Sequence, residues 1–339
     1  MPATDQPQLD GTSQLDGPSQ LDGPSQLDGP SQLHGQPLLA VSDLQVEYPT
    51  GHHSRHRTGP AVSGVSFTLA SGEVLGLVGE SGSGKTTIGR AILGLVPIQG
   101  GTIRFGGQDI TRIRRGARRR LGTEIQVVFQ DPYGSLNPAV KVGASLLEAL
   151  PSSTSRAVGR ERLAELLGKV GLPPSAADEY PSQFSGGQRQ RLAVARALMA
   201  APKLVICDEP VSALDVSIQA QVLNLLRELQ GELSLSYLFI GHNLDVVRFM
   251  SDRIVVLRRG CVIEEGPAEV VATTPSHPYT KALVAAVPRV EAALGGTIAA
   301  PEQELNHHRR RRDAFSIFQT SYRVRGRGGA GCQRLLVVR

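Results

Sequence analysis

The stretch Gly79-Glu80-Ser81-Gly82-Ser83-Gly84-Lys85-Thr86 restricts what this chain can fold into more than any other. It meets the pattern G-x-x-x-x-G-K-[ST] at every fixed position. Upstream, Glu73-Val74-Leu75-Gly76-Leu77-Val78 reads as a short, apolar, buried strand, and downstream residues 87–95 carry apolar side chains at helical spacing. Strand, glycine loop and helix in that order let backbone N–H groups wrap phosphate oxygens at a helix N-terminus. Gly82 and Gly84 allow backbone angles and a close approach that a side chain would block. Lys85 is placed to reach the β- and γ-phosphates of a nucleotide, and the Thr86 hydroxyl to ligate Mg²⁺. These eight residues, with Thr87 opening the helix, are the candidate phosphate contacts. The loop specifies a nucleotide phosphate, and the rest of the chain must specify the class.

The chain's 339 residues exceed the roughly 150 of one ordinary domain. No apolar run approaches the ~20 residues of a membrane-spanning helix, and the polar N-terminus carries no apolar signal-peptide core. The protein is therefore expected to be kept in the cytoplasm. Cys207, Cys261 and Cys332 lie far apart and fit no metal-ligand spacing. Cys207 falls inside an apolar strand, as a buried free thiol would. A net charge of +5 admits nucleic acid or an anionic surface as partner, although much of the excess sits in Arg-rich segments.

Residues 1–37 are low in complexity. Ser-Gln-Leu-Asp-Gly-Pro recurs from Ser13, Ser19 and Ser25 and decays after Ser31. Leucine is the only apolar residue of each repeat, so ordering entropy cannot be offset and a disordered tail is expected. Residues 39–48 and 61–69 alternate apolar and polar like half-buried strands. Between them, His52, His53 and His56 lie on a polar loop without a partner cysteine or carboxylate cluster, which reads as solvated. Residues 102–105 and 124–129 read as strands. The run from Arg112 to Arg120 between them reads as a solvated basic helix face. From about 131 to 200 helical spacing takes over, at 142–150, 160–167 and 190–198. Strands return at 204–207 and 236–240, separated by a helical stretch at 219–227. Strands alternating with helices imply a mostly parallel sheet.

Two further stretches carry chemistry. Leu204-Val205-Ile206-Cys207-Asp208-Glu209 is an apolar strand ending in two acids, at the strand edge where α/β sheets bind ligands. Asp208 can hold Mg²⁺ through water, and Glu209 can polarise the water that attacks a γ-phosphate. Phe184-Ser185-Gly186-Gly187-Gln188 opens a helix expected from near Arg189 and makes a second anion-binding surface. Two such surfaces on one chain suit head-to-tail pairing, with each ATP between the glycine loop of one chain and the Ser-Gly-Gly end of the other.

With these residues in order, the chain resembles the nucleotide-binding subunit of an ABC transporter, from about residue 38 to 288. By that resemblance Tyr48 stacks on adenine, and Gln130 contacts Mg²⁺ and the attacking water. Ser185, Gly186, Gly187 and Gln188 form the family signature, with Phe184 in place of the commoner Leu. Ser212-Ala213-Leu214-Asp215 crosses the dimer interface, bringing Asp215 to the nucleotide, and His242 contacts the γ-phosphate. Gly241 and Asn243 replace the usual Ser and Asp around that histidine. Gln130-Asp131-Pro132-Tyr133-Gly134-Ser135-Leu136-Asn137-Pro138 and His277-Pro278-Tyr279-Thr280-Lys281-Ala282-Leu283 are similar to segments of the ATPases of oligopeptide, dipeptide and nickel uptake. The second of these reads as a helix docking behind the core. Beyond residue 288 the chain departs from that branch: residues 289–339, with His307-His308-Arg309-Arg310-Arg311-Arg312, read as a disordered or aberrant Arg-rich tail.

The resemblance implies an α/β fold in three parts: a P-loop NTPase core of mostly parallel sheet, an antiparallel β subdomain and a helical subdomain at about 131–200. It implies ATP and Mg²⁺, hydrolysis that powers uptake, two membrane permease subunits and a second ATPase subunit, identical or related. A substrate-binding protein takes part indirectly, no nucleic acid is expected, and the place is the cytoplasmic side of the plasma membrane. The alternative from another class is a soluble ABC ATPase acting on nucleic acid or the ribosome through the basic segments. Neither the transported substrate nor the role of the N-terminal repeat follows from the residues.

Overall fold

The computed structural model describes residues 36–48, 60–151 and 153–286. The N-terminal repeat, the histidine loop and the Arg-rich segment 289–339 fall outside the described residues, apart from Gln36 and Pro37. Alternation builds the first sheet. β1 (Leu39–Val46) and β2 (Val62–Leu69) pair antiparallel, with Leu39 opposite Leu69 and Val46 opposite Val62. Leu39, Leu44, Val62 and Leu69 are fully buried on the inward face. β3 (Val74–Val78) is buried at every residue and runs through the glycine loop into α1 (Lys85–Ile92). β4 (Gly100–Phe105) pairs with the other edge of β1, and the two-residue β5 (Gln108–Asp109) pairs with β4. α2 (Arg115–Glu124) then leads into β6 (Ile125–Val128).

Helices follow: α3 (Pro132–Ser135), α4 (Val142–Leu147), α5 (Arg156–Lys169) and α6 (Gly186–Met199). Ser155 caps α5 by accepting the Val158 N–H at 3.4 Å. Val142, Leu146, Leu163, Leu166, Leu167 and Leu192 bury themselves together between these helices. The chain then alternates through β7 (Leu204–Asp208), α7 (Val216–Leu233), β8 (Ser236–Gly241), α8 (Leu244–Met250), β9 (Arg253–Arg258) and β10 (Cys261–Pro267). α9 (Ala268–Thr273) and α10 (Pro278–Ala285) close the described segment.

Two sheets result among the described residues. One is antiparallel, in the order β2-β1-β4-β5. The other runs β10-β9-β3-β8-β7-β6 and is parallel except where β10 folds back on β9. This is the α/β architecture expected from the sequence. β3, β7 and β8 read as unbroken apolar runs because both their faces are covered. Register then decides the position of the site. Val78 lies opposite Gly241 and Asp208 opposite Ile240, so the C-terminal ends of β3, β7 and β8 stand side by side. That edge is where a parallel sheet presents ligand-binding residues.

Two local findings modify the sequence reading. The Arg112–Arg120 run is not a uniformly solvated face. Arg118 turns inward and donates to Ile92 O at 3.0 Å and Ile110 O at 3.1 Å, closing the C-terminal end of α1 with a cation. Arg112, Arg114, Arg119 and Arg120 remain exposed. Residues 244–275, to which spacing arguments assign nothing, form α8, β9, β10 and α9. Of these, β9 completes the cover of the free edge of β3.

Leu77 sits in the middle of β3 with no exposed surface. Leu77→Ala should lower stability by about 2–5 kcal/mol through lost burial and a residual cavity, read as a lower urea midpoint.

Candidate active site

The glycine loop closes around an ammonium. Lys85 is 4% exposed. Its Nζ donates to Gly79 O at 2.7 Å, Glu80 O at 2.9 Å and Ser83 Oγ at 3.4 Å. Burial holds its pKa below the usual lysine range, against the opposing pull of Glu209, Asp208 and Glu80. Gly84 makes the turn into α1 possible. Its φ is +103°, and a Cβ there would come within 2.5 Å of Ala61 O. On the other side of the loop, a Cβ placed on Gly82 would meet nothing within 4 Å. No side chain among the described residues caps α1, so its first-turn N–H groups are available to an anion. Open space over Gly82, uncapped helix amides and a buried cation are features that suit a phosphate.

The acids at the end of β7 complete the floor. Thr86 Oγ1 donates to Asp208 Oδ1 at 2.9 Å. Burial raises the Asp208 pKa, and the Thr86 hydrogen bond opposes it. A hydroxyl and a carboxylate oxygen this close are hard donors of the kind Mg²⁺ takes, so the residues fit that ion. Glu209 adopts φ +51°, a left-handed conformation that costs a non-glycine residue about 1–2 kcal/mol. Its N–H donates to Ile240 O at 2.9 Å and its carbonyl accepts from Ser212 Oγ at 3.1 Å, which hold the strained turn. The same turn points the carboxylate across to β8, where Glu209 Oε2 lies 2.9 Å from His242 Nδ1.

The residues on either side of His242 have local reasons. Asn243 is the N-cap of α8, and its Oδ1 accepts from Asp245 N at 2.9 Å and Val246 N at 3.3 Å. A Cβ at Gly241 would lie 2.7 Å from Val247 Cγ2. Tyr48, half-exposed, places its hydroxyl 3.3 Å from Thr87 Oγ1, which ties the end of the N-terminal sheet to α1.

The structure thus gathers residues 79–87, Tyr48, Asp208, Glu209 and His242. The other candidates share no hydrogen bond with these. Gln130 is exposed just beyond β6 and shares no hydrogen bond with Thr86 or Asp208. α6 begins at Gly186 rather than near Arg189, so the two glycines and Gln188 form its first turn. Ser185 Oγ accepts Gln188 N at 3.3 Å and Gln188 Oε1 accepts Ser185 N at 2.9 Å, a reciprocal capping box. A Cβ at Gly187 would come 2.5 Å from Ile218 Cγ2, so α6 starts pressed against α7. Asp215, at the N-cap position of α7, makes no side-chain cap, and Val216 beside it is 81% exposed. No hydrogen bond or ion pair among the described residues joins Ser185, Gln188 or Asp215 to the glycine loop. Tyr279 of α10, by contrast, is absent from the candidates read in the sequence, and its Oη accepts the Glu80 N–H at 3.1 Å. The His-Pro-Tyr block was the available signal, but nothing local in it points to residue 80.

A phosphate loop leaving a buried parallel strand, with paired acids closing a strand two places away, defines a P-loop nucleoside triphosphatase. Residues 62–212 match the family model described as ABC transporter, and residues 263–312 that of the oligopeptide/dipeptide transporter C-terminal region. The chain is 48% identical over 259 residues to the dipeptide transport ATP-binding protein DppF of Escherichia coli (strain K12), covering 75% of this chain and 78% of that protein. It is 47% identical over 259 residues to the oligopeptide transport ATP-binding protein OppF of Salmonella typhimurium, covering 74% and 78%. Among solved structures, cbiO1 from Clostridium perfringens, part of the ABC transporter complex cbiONQ, matches with a TM-score of 0.63 at 29% identity, over 70% of this chain and 92% of that one. The ATP-binding cassette MJ0796, a dimer in a post-hydrolysis state bound to ADP and Pi, matches at 0.60 and 27% identity, over 68% and 98%. The chain belongs to the ABC transporter family, as one of its ATP-binding, ATP-hydrolysing proteins. Among the described residues no helix is long and apolar enough to cross a membrane.

The raised Asp208 pKa makes a pH prediction. The folded value lies above the unfolded one, so the charged form opposes folding. This penalty is absent below the ordinary aspartate pKa of about 4, grows as pH rises through the folded value and is complete above it. Asp208→Asn, which keeps an acceptor for Thr86, should therefore raise the thermal midpoint of the nucleotide-free protein at pH 7. The gain should vanish in acid, as a pH series of melting curves will show.

Proposed function

We propose that this chain hydrolyses ATP to drive the uptake of peptides through separate membrane permease subunits. It would work as a peripheral protein on the cytoplasmic side of the plasma membrane. A substrate-binding protein outside would select the cargo, nickel included as a candidate. The hydrolytic reading rests on one observation above all, the 2.9 Å contact between Glu209 Oε2 and His242 Nδ1 at the mouth of the glycine loop. The transport reading is supported by the relatives named for dipeptide and oligopeptide transport and by the match at residues 263–312.

Each residue then has a task. Lys85 leaves the carbonyls of Gly79 and Glu80 for β- and γ-phosphate oxygens, while amides of residues 81–87 surround the phosphates. Tyr48 covers the adenine ring. Mg²⁺, which Thr86, Asp208 and Gln130 would hold, supplies neutralising charge at the phosphoryl group when bound. Glu209 takes the proton of the attacking water. A carboxylate only accepts, so His242 Nδ1–H donates to Glu209, and with both ring nitrogens protonated Nε2–H donates to the γ-phosphate. Ser185, Gly186, Gly187, Gln188 and Asp215 act on the nucleotide of a second ATPase subunit in a head-to-tail dimer. The exposure of Ser185, Gln188 and Asp215, and their lack of bonds to this chain's own loop, support that division, as does the dimeric state of MJ0796.

Glu209→Gln should keep ATP affinity within about threefold and lower turnover by about 10²–10⁴-fold, the usual worth of a general base. Phosphate release and nucleotide titration measure the two separately, and full hydrolysis by the variant would remove Glu209 from this role. Lys85→Ala should instead weaken binding itself. For transport, the complex purified from membranes should contain permease subunits, and ATP turnover should rise with peptide-loaded binding protein. A steep salt-dependent affinity for nucleic acid in place of these results would contradict the proposal.

A further inference from the structure

The glycine loop is gripped from outside as well as from within. Gly79 C=O and Glu80 N–H belong to one planar trans peptide, so they point in opposite directions. The carbonyl receives Lys85 Nζ at 2.7 Å, inside the loop. The N–H is donated to Tyr279 Oη at 3.1 Å, from a helix 199 residues further along the chain. One peptide plane is thus pinned between the phosphate-binding lysine and α10.

Tyr279 is held for this contact by several independent means. It is 8% exposed, and the guanidinium of Arg258 lies 4.8 Å from its ring centroid. Arg258 ends β9, whose register beside β3, Val78 opposite Val256, brings position 258 alongside position 80. The start of α10 is anchored by Glu264 of β10, whose nearly buried carboxylate accepts Ser276 N at 2.7 Å and His277 N at 3.2 Å. His277 Nδ1 then caps α10 by accepting Tyr279 N at 3.0 Å, and Pro278 takes the first helical position, where no donor is missed. His-Pro-Tyr is therefore a helix start whose third residue reaches the phosphate loop.

We propose that Tyr279 is a positioning residue of the ATP site: its hydroxyl fixes the Gly79–Glu80 peptide so that the loop and Lys85 are organised before nucleotide arrives. The seating of α10 thereby sets ATP affinity, and by reciprocity bound ATP tightens α10 against the loop. This rests on the assignment of residues 79–87 to the nucleotide.

The test uses the full-length chain and Tyr279→Phe, which keeps the ring and its packing on Arg258. ATP Kd should rise about 2- to 10-fold, the worth of one hydrogen bond. Hydrogen exchange at the Glu80 amide should accelerate without nucleotide, while the α6 amides keep wild-type protection. Arg258→Met, which loosens the ring without touching its hydroxyl, should shift both readouts the same way. Lys281→Ala, an exposed change on the same helix, should shift neither. Wild-type Kd in Tyr279→Phe overturns the proposal, as does a raised Kd with unchanged loop exchange, or an equal effect of Lys281→Ala. Wild-type protein is titrated first. Failure of wild-type to bind ATP removes the nucleotide assignment itself, whereas tight wild-type binding with an unaltered variant removes only Tyr279.

Discussion

A lysine ammonium buried at the edge of a parallel sheet is the constraint on which the rest of the site depends. Taking that charge from water is costly unless it is surrounded by acceptors. The loop answers by folding its own carbonyls onto Lys85, and this dictates much else. The loop must turn sharply back on itself, which requires Gly84 beside Ala61. The strand that delivers it must be covered on both edges, by β8 and β9, and on both faces. Acids must stand close enough to balance the charge, as Asp208 and Glu209 do. A cation whose present partners are neutral oxygens is poised for an anionic ligand, and the open space over Gly82 gives that ligand room.

The same economy shapes the catalytic turn. Glu209 occupies a strained conformation, but Ser212 and the β8 backbone restrain it. The reward is direction. Only with the chain turned this way does the carboxylate reach His242 instead of following β7 outward. Asn243 stabilises the other side of the contact by starting α8 immediately after the histidine. Asn243 thus serves local structure, and the imidazole stays where the carboxylate can meet it.

The surface carrying Ser185, Gln188 and Asp215 shows the opposite condition. Its polar groups satisfy one another in a capping box, and its glycines give close packing of α6 on α7. It is finished as a helix start and unused by its own chain's phosphate loop. In the head-to-tail arrangement proposed above, these N-terminal amides meet the second subunit's nucleotide, so that neither chain holds a complete site alone.

Much of this was readable from the linear chain because it rests on local physics. The glycine-loop pattern, the apolar runs of β3, β7 and β8 and the alternation of β1 and β2 are short-range consequences of burial on one face or two. Paired acids after an apolar strand, and Ser-Gly-Gly before a helix, are likewise local. Other features were not readable, each for a physical reason. The inward turn of Arg118 depends on carbonyls at residues 92 and 110, and an arginine run looks the same whether or not one member finds them. The left-handed Glu209 is imposed by β8, not by its own propensity. Tyr279 meets Glu80 because β9 lies beside β3 and β10 anchors the start of α10, although 199 residues separate the two along the chain. The sequence by itself determined the elements and the chemistry at their ends, since period, propensity and residue type act over a few residues. Only the tertiary structure decided which ends meet, because strand order and register are settled by burial across the whole sheet.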